Sequence, residues 1–430
     1  MSSYYDPKTQ LQSYFARAIF NYADKYLLTA TFRADGSTKF GVDNKYGYFP
    51  SFSAAWNIKN EAFLSETEWL DQLKIRAGYG KTGNQEFPSG SAQQRYAFGY
   101  DQGGQTLTGI NNKNDKLKWQ ADEQTNIGID FGLFRSRLTG SVDYFRKTTT
   151  DLLFPQIPFY PSAAGASVTW VNLPGKIKNN GIELTLNGSI IDKENISWSL
   201  GGNATFIKNK VQDVTGIINT GSLNGQGLSD VTLEVIQNGL PLFAMVTRRY
   251  EGLDENGFSK YADDGFTYYY VGNPNPSVIL GISTDFRYKK LSLGLNFNGS
   301  LGQDVYNNTA NSVLPITNLG TRNVASALLN SGIQESLANP ISASSRYIEK
   351  GDYLKLANAT ISYNIGNIGK AIKGLNVYVN GQNLFVLTNY SGFDPEVNVD
   401  KSINGVPSAG IEYVPYPSAR TFNFGVNFSL

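Results

Sequence analysis

The chain has 430 residues and a formal net charge of +1, and it contains neither cysteine nor histidine. Near-neutral charge without a basic run argues against nucleic acid as a partner. The missing cysteines exclude disulfides and thiolate metal sites, and the missing histidines remove the commonest general base and metal ligand, so no metal, cofactor or enzyme chemistry is expected. Aromatic residues make up 13% of the chain, mostly Tyr and Phe, a composition that suits interfacial girdles. No apolar run approaches the roughly 18 residues of a membrane helix. Met1–Lys8 has neither a basic start nor an apolar stretch, so no signal peptide is expected and the chain reads as incomplete at its N-terminus.

Strand-like alternation begins early and recurs to the last residue. Tyr26, Leu28, Ala30 and Phe32 alternate with Leu27, Thr29, Thr31 and Arg33. Leu73, Ile75, Ala77 and Tyr79 then alternate with Lys74, Arg76, Gly78 and Gly80. The same pattern returns at Ile127–Phe131, Ile182–Leu186, Leu291–Phe297 and Leu375–Val379, and it closes the chain at Phe422–Leu430. Side chains alternate across a strand with period two, so one face is apolar and the other small, polar or charged. A soluble core rejects charges such as Lys74, Arg76, Asp130 and Glu183, whereas a watery lumen or an outer surface accepts them.

About thirteen such segments are expected, near residues 11–21, 25–35, 48–58, 70–82, 117–134, 137–151, 180–191, 196–209, 277–288, 291–304, 352–366, 374–388 and 418–430. Short links (Asn21–Lys25, Phe134–Arg137, Ile191–Asn195, Arg287–Leu291, Asn367–Gly374) alternate with long ones (Gly83–Lys116, Asp151–Asn179, Lys210–Pro276, Asp304–Gly351, Thr388–Pro417). Short turns at one end and long loops at the other is the layout of an all-β, antiparallel transmembrane barrel with long extracellular loops. An odd count leaves the two termini at opposite ends and the first and last strands without partners, so an open portion of a barrel is expected; a count off by one would allow a closed one. Two stretches depart from strand character: a helical turn within Asn60–Gln72, and a loop-packing helix within Thr321–Ala338.

Several stretches resemble the SusC/RagA-like TonB-linked outer-membrane transporters. They include Ala30–Phe40, Tyr48–Trp56, Leu73–Asn84, Thr125–Leu133 and Gly140–Leu153, then Asn180–Leu184, Gly272–Pro276 and Ile348–Leu356, and finally Asn383–Phe385, Gly392–Glu396 and Tyr416–Phe422. The resemblance covers nearly the whole chain in the family's order. It implies that residues 1–430 are about the C-terminal 13 strands of a 22-stranded barrel, with the plug domain, TonB box and signal peptide absent. It further implies import of an oligosaccharide or peptide across the outer membrane, with outer-membrane lipids, a SusD-like lipoprotein and TonB as partners. A barrel portion alone is not expected to transport. The other readings are a soluble or surface-attached all-β carbohydrate-binding or hydrolase module, and a passive porin-like barrel.

The candidate site residues are few. Trp170, Tyr268, Tyr269 and Tyr270 fall in the long links, where aromatic faces stack on sugar rings or simply pack a hairpin. Asn423, Gly425, Phe428 and Leu430 resemble a C-terminal assembly signal, although many such signals end in Phe. Asp254–Gly257 and Asp263–Gly265 cluster carboxylates with a turn glycine, and read as Asx-Gly turns rather than calcium loops. Asp394 and Glu396 form a carboxylate pair within a turn.

Overall fold

The computed structural model describes residues 8–101, 103–156, 168–225, 227–324 and 335–429. One 13-stranded sheet forms the wall. Its strands are β1 (Leu11–Tyr22), β2 (Tyr26–Ser37), β3 (Tyr46–Asn57), β4 (Leu70–Asn84), β5 (Gln120–Leu133), β6 (Leu138–Gln156), β7 (Thr169–Lys193), β8 (Ile196–Gln212), β9 (Val278–Tyr288), β10 (Leu291–Leu301), β11 (Tyr353–Ile368), β12 (Ile372–Thr388) and β13 (Thr421–Ser429). All thirteen expected segments become wall strands, and each pairs antiparallel with the next in sequence.

Six connections turn at one end, five of them within a few residues. Residues in the left-handed region make three of the tight ones: Ala23 and Asp24 at φ 54° and 53°, Phe134, Arg135 and Ser136 at φ 58°, 58° and 57°, and Lys289 at φ 51°. The exception is 58–69, where a 3-10 turn forms at Ile58–Asn60 and overlaps the stretch expected to hold a helical turn, Asn60–Gln72, only at Asn60. There Lys59 Nζ gathers the carbonyls of Leu64 (2.8 Å) and Thr67 (2.9 Å). The helix expected within Thr321–Ala338 falls largely on 325–334, outside the described residues.

Register turns the alternation into two faces. Phe20, Leu28, Ala54, Ala77, Ile127, Tyr144, Ile182, Phe206 and Val278 form one continuous cross-strand row on the outer face. An inner row three residues away reads Asn57, Lys74, Asp130, Ser141, Thr185, Asn203, Gly281, Asn298 and Lys355. Phe52 is 58% exposed, and Phe20, Leu28 and Ile127 are exposed with it. An apolar face of this extent is stable only when something apolar covers it. At its short-turn border Tyr26 stacks between Tyr22 and Trp56, with ring centroids 6.5 and 6.3 Å apart. Glu61 ties this girdle together by accepting from Lys25 Nζ (2.9 Å), Tyr26 OH (2.8 Å) and Trp56 Nε1 (3.0 Å). Those three donors hold its carboxyl down at about 2.

The inner face is held by charge. Arg76 on β4 bridges Asp130 on β5 (3.1 Å) and Asp143 on β6 (2.6 Å). Gly128 lies between them, and a Cβ there would collide with the Asp143 carboxylate and stand 2.9 Å from the Arg76 guanidinium carbon. The sheet is open: its order starts at β1 and ends at β13. With an odd number of antiparallel strands these two edges run in the same direction, so they cannot join in an all-antiparallel closure.

Candidate functional site

The three buried hydrophobic clusters all lie toward the long-loop end. The largest joins Leu223, Leu228, Leu233, Met245, Tyr306, Ala343 and Ile411. These residues come from the connections β8–β9, β10–β11 and β12–β13. The second packs Phe40, Phe49, Phe87, Leu117 and Trp119. The third sets Val211 and Val214 against Ile236 and Val406. Small sheets give the cap its frame. Ile217–Ser222, Thr232–Gln237, Ala244–Thr247 and Tyr269–Gly272 make a four-stranded one. Asp304–Asn307 adds Ile348–Lys350 on one side and Ile411–Glu412 on the other.

Polar contacts weld the cap to the wall. Glu396 accepts from Tyr353 OH (2.8 Å), Asn298 Nδ2 (3.0 Å) and Lys355 Nζ, all from the inner face of β10 and β11. Asp394 accepts from the Glu396 N–H (3.0 Å) and from Ser418 Oγ (2.7 Å). This carboxylate pair is therefore a clasp. Asp254 Oδ1 accepts from the N–H groups of Asn256 (2.9 Å) and Phe258 (2.8 Å), an Asx turn of the kind its sequence suggests.

The four aromatic candidates do not converge. Trp170 is not in a loop but on the upper extension of β7, tilted against Phe87 at 5.5 Å, where it packs the second cluster. Tyr269 covers the Arg249 guanidinium at 4.2 Å, and its hydroxyl donates to Asp263, which is held below the usual carboxylate range by that bond. Tyr270 pairs with Val246 in the four-stranded sheet. Tyr268 faces a cavity of about 430 Å³, lined also by Arg248, Phe258, Tyr261, Asn339 and Ile341. Arg248 sits between the Tyr261 and Tyr268 rings (5.9 and 5.8 Å), its Nη1 donating to Ser342 Oγ at 2.8 Å. On the last strand, Asn423 pairs with Asn380 and Gly425 with Tyr378. Gly425 leaves room for the Tyr378 ring, which a Cβ would strike. Phe428 is exposed on the outer face, and Leu430 lies outside the described residues.

Three groups escaped the sequence reading. Glu234 is fully buried, and its carboxylate oxygens lie 3.1 and 3.3 Å from the Ala409 N–H across two loops. Burial pushes its carboxyl up to about 9. Arg346 forms a two-bond fork with Glu335 (2.8 and 2.7 Å) and lies over Tyr250 and Tyr347. Burial works against the Glu335 carboxylate, yet the Arg346 and Asn339 bonds hold it below its ordinary value. Lys401 is buried over the Tyr413 ring at 4.3 Å, and burial lowers its ammonium. The signal for Glu234 was a lone charge inside Thr-Leu-Glu-Val-Ile, a run apolar on both faces. The arrangement can bind and enclose; among the described residues no group of carboxylates is placed to hold a metal.

Apolar outer rows, a polar and charged inner wall and a folded cap over one end define the wall of an antiparallel membrane β-barrel. Residues 2–384 match the family model described as TonB dependent receptor-like, beta-barrel. The chain belongs to that family, one of receptors and not of enzymes. It is similar to TonB-dependent receptor P3 of Formosa agariphila, with 32% identity over 99% of this chain and 46% of the relative. It is also similar to TonB-dependent receptor SusC of Bacteroides thetaiotaomicron, with 30% identity over 98% of this chain and 44% of the relative. Among solved structures, the RagAB peptide importer in its open-open state shares the fold, with a TM-score of 0.83 and 23% identity over 98% of this chain and 47% of that one. The chain thus spans less than half the length of these relatives.

Proposed function

We propose that this chain is part of the wall of a SusC/RagA-type importer, set in an outer membrane, that brings an oligosaccharide or peptide nutrient through a lumen on the inner face. The observation that carries the reading is the inner row from Asn57 to Lys355, polar, charged or glycine on each of nine neighbouring strands, while the outer row from Phe20 to Val278 is apolar throughout. A soluble carbohydrate-binding module would leave that outer face wet, and a passive porin would need the two parallel edges to close. The same proposal assigns residues 1–430 to one partial barrel domain whose open edges, β1 and β13, are filled by further strands. A plug and TonB contact then act from outside these strands, and a SusD-like lipoprotein covers the cap.

The cavity beside Tyr268 presents aromatic and guanidinium surface, which supports a contact with substrate there. The final strand supports an assembly role, with Asn423 and Gly425 toward the lumen and Phe428 toward lipid. Affinity purification from native membranes in mild detergent tests the reading. Recovery from the outer-membrane fraction with a lipoprotein lid supports it; recovery as a compact soluble monomer without detergent contradicts it. Uptake of labelled oligosaccharides and labelled peptides by cells with and without the protein then names the substrate class.

A further inference from the structure

Above the apolar band, the outer face of β6, β7 and β8 changes character within one row. Reading toward the long loops, the rows are Val142–Leu184–Ala204, then Tyr144–Ile182–Phe206, then Arg146–Asn180–Lys208, Thr148–Lys178–Lys210 and Thr150–Lys176–Gln212. Arg146, Lys178, Lys208, Lys210 and Lys176 therefore share one outward patch. Paired strands stand about 4.8 Å apart and alternate residues about 7 Å apart, so neighbouring cations in the patch are within the span of one phosphate-bearing headgroup. Lys176 is neutralised by Asp213 at 3.0 Å. The side chains of the other four have no ion pair or hydrogen bond among the described residues. Lys178 and Lys210 stand directly opposite each other, an arrangement that repels unless an anion lies between them.

The height of the patch fits a headgroup. Along β7, the outer face from Asn180 to Ile190 covers ten residue steps. At about 3.3 Å per step and a tilt of about 40°, that path rises roughly 25 Å, the height of a barrel's apolar band. The cations begin where the band ends, on the long-loop side.

We propose that this patch binds the phosphate of a membrane-lipid headgroup in the leaflet facing the long loops, with Lys178 and Lys210 as its centre and Arg146 and Lys208 beside them. The inference rests on the membrane placement proposed above. Its test is native mass spectrometry of the whole chain in neutral detergent, with added phosphatidic acid, whose headgroup is a phosphate monoester, and with phosphatidylcholine as control. The expected result is retention of phosphatidic acid over phosphatidylcholine, weakened about fivefold by Lys178→Gln and about twenty-five-fold by Lys178→Gln with Lys210→Gln, since each surface cation contributes about 1 kcal/mol. Inorganic phosphate at equal concentration should not displace the lipid. Both positions lie on an outward face, and unchanged gel migration of the unheated variants checks that they fold. Equal retention of the two lipids, equal binding by the double variant, or full displacement by inorganic phosphate overturns the proposal. A chain that is monomeric and soluble without detergent overturns the membrane placement instead, so the two failures are distinct.

Discussion

Phe424 on β13 is 79% exposed, and Ile411, a short way back along the same chain, is 0% exposed. The first belongs to the wall and the second to the cap. In the wall, large apolar side chains point away from the protein and charges such as Asp143 point inward, paired with Arg76. In the cap the order is that of a water-soluble domain, with Tyr306, Leu228 and Met245 inside. One polypeptide thus carries two opposite solvent problems, and the border between them follows the upper ends of the strands. The wall is stabilised by backbone pairing and by what covers its outer face; the cap is stabilised by its own packing.

The sharpest break in this contrast is Tyr306→Ala. Its ring is buried in the main cluster and its hydroxyl accepts from Asn311 Nδ2 at 2.8 Å, so loss of the side chain should destabilise the cap by about 3–5 kcal/mol. Limited proteolysis should then cut the β8–β9 and β10–β11 connections while the wall keeps its circular dichroism. Next, Ile129→Arg on the outer face should cost about 2–4 kcal/mol in a bilayer, measured by refolding into vesicles, and leave cap proteolysis unchanged.

Glu234→Gln probes the cap through pH. The carboxyl at about 9 in the folded cap, against 4.5 ordinarily, binds a proton that the unfolded chain has released. Cap stability therefore falls as pH rises from about 4.5 to about 9, and is fully present below that window. The amide cannot ionise, so the variant should flatten this slope, with a gain on the order of a few kcal/mol near pH 9. Protection of the Ala409 amide against hydrogen exchange, followed across pH, reads it directly. The smallest effect is expected from Gly128→Ala, which wedges a methyl group into the Arg76–Asp143 bridge and should cost about 1–3 kcal/mol in wall stability. Thermal unfolding in detergent measures that loss.

The wall was largely legible in the sequence because a half-lipid, half-water sheet must alternate at every step. Its ends were less so. The segment expected at 180–191 is Thr169–Lys193, since above the apolar band both faces are mixed and the alternation that marks a strand stops. The cap was mostly illegible. Thr232–Gln237 is buried on both faces, so its period carries no information, and its Leu233 and Glu234 side chains meet Ile411 and Ala409 from a distant connection. Trp170 looked available because tryptophan in a long link is conspicuous, yet the neighbouring Phe87 occupies its face. Tyr268 was recognisable as an aromatic, but Arg248 beside it became meaningful only once folding had set the guanidinium between two rings.

The absence of native cysteine makes the most direct measurement simple. Single cysteines at Leu184→Cys, Ala204→Cys, Thr185→Cys and Asn203→Cys sit on two adjacent cross-strand rows of β7 and β8, the first two outward and the last two inward. In native membranes, a water-soluble, membrane-impermeant maleimide should label the inward pair and spare the outward pair, and a lipid-soluble maleimide should reach the outward pair. Equal labelling of all four by the aqueous reagent would contradict a wall with lipid on one side and water on the other.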